Sequence, residues 1–390
     1  MAVSNGAFVK NPVFLTLGAV ALLAAIALPV LSHAPNRLLG GQPLYLSALP
    51  NGAAIVLILA LAIATGCAFA PQRRDIWIIA LVAALIAPIA YVWGTGEAAT
   101  ALAAASAPIA RTSTGTAGWV VIITMYLAAA ESVRRLSLRA WGRALIVICA
   151  IGPIIAMVAS GHLDQLALMK EYAVKHDEFA AALRQHAHIV LASFIPALVI
   201  GVPLGIVAHR SAKLNGPLLG VLGLIQTIPS IALFGILMAP LSGLARHIPA
   251  LRDLGISGIG LAPAAIALTL YSLLPIVRNT ATGLGEVPAA ALDAAAGMGM
   301  NRWQILRQIE VPIALPVILS GLRITLVQSI GLAAVAALIG AGGLGSIMFQ
   351  GLFANAGDLI LLGVVPIVGI AVIVDVVFRL IASPPNRGAA

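Results

Sequence analysis

Charge is what this sequence has least of. Asp, Glu, Lys and Arg make up only 9% of its 390 residues, against about a quarter in soluble domains, and the mean hydropathy is +1.07. That excludes an ordinary soluble domain and leaves an all-α, polytopic membrane protein. Cysteine is scarce too: Cys67 and Cys149 both lie inside apolar runs, so a disulfide framework is excluded and the redox compartment stays open. The four lysines, Lys10, Lys170, Lys175 and Lys213, all lack a preceding glycine. No Gly-x-x-x-x-Gly-Lys-Ser/Thr phosphate loop exists, so any ATP hydrolysis must come from another subunit. Clustered nucleophiles or metal ligands are missing as well. His186 and His188 are two apart and do not share a helix face, which argues for structural or interfacial roles and against a membrane enzyme.

What is present is apolar length. Ten runs approach the roughly 20 residues a spanning helix needs: 12–31, 52–70, 76–95, 117–132, 144–160, 188–208, 215–240, 259–279, 315–339 and 359–380. The first exceeds the apolar core of a signal peptide and is read as a span. The fourth is the weakest, with Glu131 near its end paired to Arg135 one turn on. The net charge of +9 is scattered over helix ends, a pattern of membrane orientation rather than of nucleic-acid binding. Longer loops follow at Ser32–Pro50, Gly96–Thr116 and Gly161–His186. The last reads as an amphipathic helix, with Leu166, Leu168, Met169, Tyr172 and Ala173 set against Lys170, Glu171, Lys175, Asp177 and Glu178. Being the most polar stretch, it marks the expected boundary between residues 1–180 and 181–382. A solvated linker explains it equally well.

The stretch Glu286–Pro316, EVPAAALDAAAGMGMNRWQILRQIEVPIALP, organises the second half. Pro288 suits a first helical turn, and the Ala-rich run after it favours helix until Gly299 breaks it. Asn301 and Gln304 are spaced for a capping box on a second short helix, which Pro312 is expected to end before Pro316 opens the next span. Ala and Gly leave room for another protein's groove, with Asp293, Arg302 and Arg307 as orienting charges. Upstream, Gln226-Thr227-Ile228-Pro229-Ser230 interrupts the seventh span. Such a break either lines a cavity or is a kink satisfied by neighbouring helices. Gly340-Ala341-Gly342-Gly343-Leu344-Gly345 lacks the strand of a nucleotide loop and reads as a tight turn.

The spacing Asp293, Ala294, Ala295, Gly299, Ile309, Pro312 resembles the EAA loop of ABC importer permeases, with Asp at the usual Glu and Val311 at the usual Leu. With GLIQTIPSIALFGILMAPL (223–241), APAAIALTLYSLLPIVRNTATGL (262–284) and GLRITLVQSIGLAAVAALIGAGGLGSIMFQGL (321–352), residues 180–380 resemble the permease subunit of glycine betaine, choline and carnitine importers. SHAPNRL (32–38), ARTSTGTAGW (110–119) and DQLALMKEYA (164–173) look like the long form of that permease, with five extra N-terminal helices. The resemblance implies a five-helix type I importer core and a coupling loop at 286–312. It also implies a second permease subunit, two ATPase subunits that bind ATP and Mg, an external solute-binding protein, and no cofactor or metal in this chain. It would further assign the aromatic cage for a quaternary ammonium to the binding protein, since this chain, at 5% aromatic, builds none. Gln226, Thr227, Pro229, Ser230, Tyr271 and Gln328 are then candidates for the solute path.

With the Asp293 loop cytoplasmic, both termini and the basic loops holding Arg73 and Arg74, Arg134 to Arg143, and Arg210 and Lys213 fall inside. Arg246 and Arg252, partly offset by Asp253, fall outside. That places the chain in the cytoplasmic, or inner, membrane. The alternative is an ion-coupled secondary transporter, which commonly sets ionisable groups at the midplane. Only Asp375 lies well inside a span, one turn from Arg379.

Overall fold

The computed structural model describes residues 9–37, 39–138, 140–253 and 255–382. Leu38, Arg139 and both chain ends, used above, lie outside the described residues, as do the side chains of Arg252 and Asp253. The described residues form two compact units divided between Val174 and Lys175.

In the N-terminal unit, α1 (Pro12–Ala27) begins where the Asn11 side chain accepts hydrogen bonds from the Val13 and Phe14 amides at 3.0 and 3.3 Å. It stops before residue 31 because Leu28 turns extended and the chain enters β1 (Leu31–Ala34). β1 pairs antiparallel with β2 (Gln42–Leu44) and β3 (Arg111–Thr114), Leu31 lying opposite both Leu44 and Thr114. This small sheet sits in segments expected to be loops; strands of three or four residues are too short to show a period of two. The bundle is completed by α2 (Asn51–Gly66), α3 (Arg74–Ala104), α4 (Thr116–Leu136) and α5 (Ala140–Ala159). The Tyr91 hydroxyl of α3 donates to the Val30 carbonyl at 2.6 Å and fastens the helices to the sheet. Helix α4 is a regular 21-residue helix, and Glu131 accepts from Arg134 as well as Arg135, at 2.8–2.9 Å.

The expected amphipathic helix over Gly161–His186 is corrected. Turns run to Leu166, α6 (Ala167–Val174) follows, and a second helix starts at His176, so the stretch is two helices broken at Lys175 and not one. Leu166 is buried and Asp177 and Glu178 are exposed as expected, but Glu171 is 5% exposed and Ala173 is exposed, because Glu171 turns inward toward Arg37 and Arg111 at 3.6 and 3.9 Å.

The C-terminal unit opens with α7 (His176–Arg210), 35 residues long. Next come α8 (Ala212–Thr227), α9 (Ser230–His247), α10 (Pro249–Asp253) and α11 (Leu261–Gly285). After α12 (Ala289–Gly297) and α13 (Arg302–Ile305) the chain forms α14 (Val311–Val335), α15 (Leu344–Phe353) and α16 (Gly357–Ala382). Small residues set the spacing of α7 and α11. A Cβ on Gly205 would lie 2.5 Å from Thr280 Cβ, so the backbones meet only because there is none. Buried His186 donates through Nε2 to the Ile330 carbonyl, 3.1 Å away, a structural role. The glycine-rich stretch is a tight turn between packed helices, a Cβ on Gly345 falling 2.0 Å from the Ala334 carbonyl oxygen. Asp375 pairs with Arg379 at 2.6 Å as expected, and also with Arg323 of α14 at 3.4 Å.

Eight helical segments among the described residues have the length and apolarity to cross a bilayer: α3, α4, α5, α7, α9, α11, the continuous run 302–339, and α16. Helices α1 and α2 are shorter, at 16 residues each.

Candidate functional site

Two places carry the candidate residues. The first is the hairpin between α11 and α14. Helix α12 starts directly after Pro288 and buries only Ala295, leaving Asp293, Ala294 and Gly299 exposed. It ends in a Schellman motif: the Gly299 amide donates to the Ala296 carbonyl at 2.9 Å and the Met300 amide to the Ala295 carbonyl at 3.2 Å. Gly299 has φ +77°, and nothing lies within 4 Å of where its Cβ would be, so backbone conformation and not space calls for glycine. The predicted capping box is present. Asn301 Oδ1 accepts from the Trp303 and Gln304 amides at 3.0 and 2.9 Å, and Gln304 Oε1 accepts from the Asn301 amide at 2.8 Å.

Proline does not end the second segment. After α13 the chain widens into a π-helical turn, Leu306–Glu310, and runs straight into α14 through Pro312 and Pro316. The Val311 amide reaches back to the Leu306 carbonyl, which shifts the hydrogen-bond ladder so that Pro312 enters the first turn of α14, where it has no N–H to lose. The hairpin is thus a rigid extension of α14. At its root Leu306 packs, as Ile206 does, against the buried cluster of Leu284, Ala314 and Ile318. Glu310, 1% exposed, accepts from Arg210 Nη2 at 2.5 Å. Ile309 is half-buried, while Arg302, Arg307 and Pro312 are exposed. Sequence reasoning passed over the largest feature of the tip: Met298 and Trp303, 72% and 67% exposed, flank the Gly299 turn. Two large apolar side chains left in the open by a well-capped backbone were the signal.

The second place is the gap between α8 and α9. Gln226 Nε2 donates to the Tyr271 carbonyl at 2.7 Å, and the Tyr271 hydroxyl donates to the Ile228 carbonyl. Helix α11 therefore holds the last turn of α8 and the Ile228 carbonyl in the break. The exposed Thr227 hydroxyl bonds back to the Leu224 carbonyl at 2.7 Å, Pro229 is exposed, and Ser230 is half-buried at the start of α9. Gln328, half-buried on α14, takes no part in these hydrogen bonds; its neighbour Ser329 meets Ser272 at 3.1 Å instead.

Residues 197–383 match the family described as binding-protein-dependent transport system inner membrane component. Residues 10–169 match the N-terminal domain of the ABC transporter permease YehY. The osmoprotectant import permease protein OsmW of Salmonella typhimurium is 45% identical over 191 residues, 49% of this chain and 84% of the relative. The chain belongs to the ABC importer permease family. Relatives of the permease include the carnitine transport permease protein OpuCD of Listeria monocytogenes, 39% identical over 48% of this chain and 79% of the relative. The glycine betaine/carnitine/choline permease OpuCB of Bacillus subtilis is 37% identical, over 50% and 82%. Among solved structures, an inward-facing MetNI methionine ABC transporter aligns with 52% of the permease and 94% of its own chain, at 25% identity and a TM-score of 0.45. On the family match, the permease is a multi-pass inner-membrane transport component with the type I importer fold.

Proposed function

We propose that the permease forms the membrane path of an importer for a compatible solute such as glycine betaine, choline or carnitine. It works as one of a pair of permease subunits, on two separate ATPase subunits that bind ATP and Mg, and beneath an external solute-binding protein. The hairpin and both termini face the cytoplasm. The observation that carries this reading is the hairpin tip. Exposed Met298 and Trp303, with Asp293 and Ala294 beside them, stand on a doubly capped backbone continuous with a membrane helix. Exposed aromatic and methionine side chains on a rigid support are what a protein partner's groove selects. Because the π-helical turn keeps α13 and α14 in one run, displacement of the tip tilts α14 directly. Solute class is supported by the names of the relatives.

Purifying the permease in mild detergent and identifying co-purifying chains by mass spectrometry tests the assembly. An ATPase is expected, with its recovery weakened by Trp303→Ala. A permease that purifies alone while catalysing solute uptake driven by an ion gradient would overturn the reading.

A further inference from the structure

In the N-terminal unit, two cations share one neutral acceptor. Lys170 Nζ of α6 and Arg111 Nη1 of β3 both donate to the Ala110 carbonyl, at 3.3 and 3.4 Å. Arg111 Nη1 also reaches the Ile109 carbonyl at 3.3 Å, but its Nε is buried with no hydrogen-bond partner. Among the described residues the carboxylate paired with these cations is Glu171, whose two oxygens lie 3.9 Å from Arg111 and 3.6 Å from Arg37, beyond hydrogen-bonding distance. Three cations therefore face one acid. Burial and the Arg111 charge hold the Lys170 pKa below the usual lysine range.

This uncompensated charge borders an open cavity of about 500 Å³ at the end of α3. Lys170, Gln165, Ser106 and Thr100 supply its polar lining, and no carboxylate or aromatic ring lines it. Ser106 is held in place by His33 Nε2 at 3.2 Å, whose Nδ1 lies 2.9 Å from Thr112 Oγ1 on β3. Converging like charges are unfavourable without a counter-charge, and an ammonium, an amide and a hydroxyl lining one cavity complement oxygen acceptors. We propose that this cavity binds a small oxyanion, a carboxylate or phosphate group, held by Lys170 with Gln165 and Ser106. The group is either a free anion or the phosphate of a lipid headgroup.

The test uses the full chain in a phosphate-free maltoside detergent. Inorganic phosphate is titrated against chloride at fixed ionic strength while thermal stability is followed, and retained lipid is read by native mass spectrometry. Lys170→Gln is compared with Lys10→Gln, which removes the same charge from an exposed position elsewhere. A saturable upward shift in melting temperature, with half-saturation weakened at least about tenfold in Lys170→Gln but unchanged in Lys10→Gln, assigns a free-anion site. Phosphatidylglycerol retained by the wild type and by Lys10→Gln, but lost from Lys170→Gln, assigns the lipid headgroup. Ser106→Ala should weaken the same signal to a lesser degree. Equal responses in wild type, Lys170→Gln and Lys10→Gln, or no response and no retained lipid, overturn the proposal.

Discussion

Arg210, the last residue of α7, meets Glu310 of the π-helical turn before α14 through Nη2 and Oε2 at 2.5 Å, with Glu310 almost wholly buried. The pair ties the root of the hairpin to a helix 100 residues away in sequence. A buried carboxylate is tolerable only with its partner, so removing Arg210 leaves Glu310 uncompensated. Because Arg210 is nearly half exposed, water recovers part of the loss, and Arg210→Ala should cost about 1–3 kcal/mol. Adding Glu310→Gln removes the stranded charge at nearly unchanged shape. The double variant should therefore melt higher than Arg210→Ala alone, as followed by thermal unfolding of the purified permease. A double variant less stable than either single change would show that the charge pair is not what the burial satisfies.

At the break between α8 and α9, the Tyr271 hydroxyl supplies the donor that the Ile228 carbonyl lacks. Tyr271→Phe removes it and should lower stability by about 1 kcal/mol, with solute uptake reduced. Thr227→Leu and Ser230→Leu place bulk at the same break without touching that hydrogen bond. If the break lines the solute path, both should lower uptake while the ATPase still co-purifies. Normal uptake by both would mean that the break is a packing kink held by α11.

The orientation is checked with single cysteines. In a background lacking Cys67 and Cys149, cysteine at Ser137 or Ala173, both exposed, is probed with an impermeant thiol reagent on spheroplasts. Labelling at position 173 alone is expected; labelling at 137 alone inverts the topology.

Much of this molecule was legible because its signals are local. The span positions, the Gly299 turn and the Asn301–Gln304 capping box each depend on residues a few positions apart, and the Asp375–Arg379 pair is one helical turn. What was illegible depends on distant partners. Glu171 looks like a solvated residue until Arg37 and Arg111 arrive from 134 and 60 positions away, and Glu310 acquires meaning only beside Arg210. Pro312 misled for a different reason. A proline is a helix stop only if the ladder before it is α-helical, and the π-helical turn at Leu306–Glu310 removes that condition. The sheet escaped because its register is set by pairing between β1 and β3, about 80 positions apart, and not by any pattern within them.

The hairpin itself allows the sharpest prediction, because its parts separate conformation from contact. Gly299 sits at φ +77° in open space, so a side chain there meets no atom and costs only the left-handed conformation, about 1–2 kcal/mol for an ordinary residue and less for asparagine. Gly299→Leu should turn α13 away from α12 and leave the membrane helices in place, while Gly299→Asn should keep the turn. Asp293→Lys and Trp303→Ala leave the backbone alone and alter only the exposed surface. If the tip is the joint with an ATPase, all three disruptive variants should reach the membrane and melt within a few degrees of wild type. They should nonetheless lose solute uptake and the rise in ATP hydrolysis that loaded binding protein produces in the reconstituted complex, with Gly299→Asn near wild type in both. The two classes should differ in cause: Trp303→Ala should weaken co-purification of the ATPase, whereas Gly299→Leu should misplace a tip that still carries its side chains. Wild-type stimulation and uptake in Gly299→Leu, Asp293→Lys and Trp303→Ala alike would show that this hairpin does not transmit the work of ATP hydrolysis to α14.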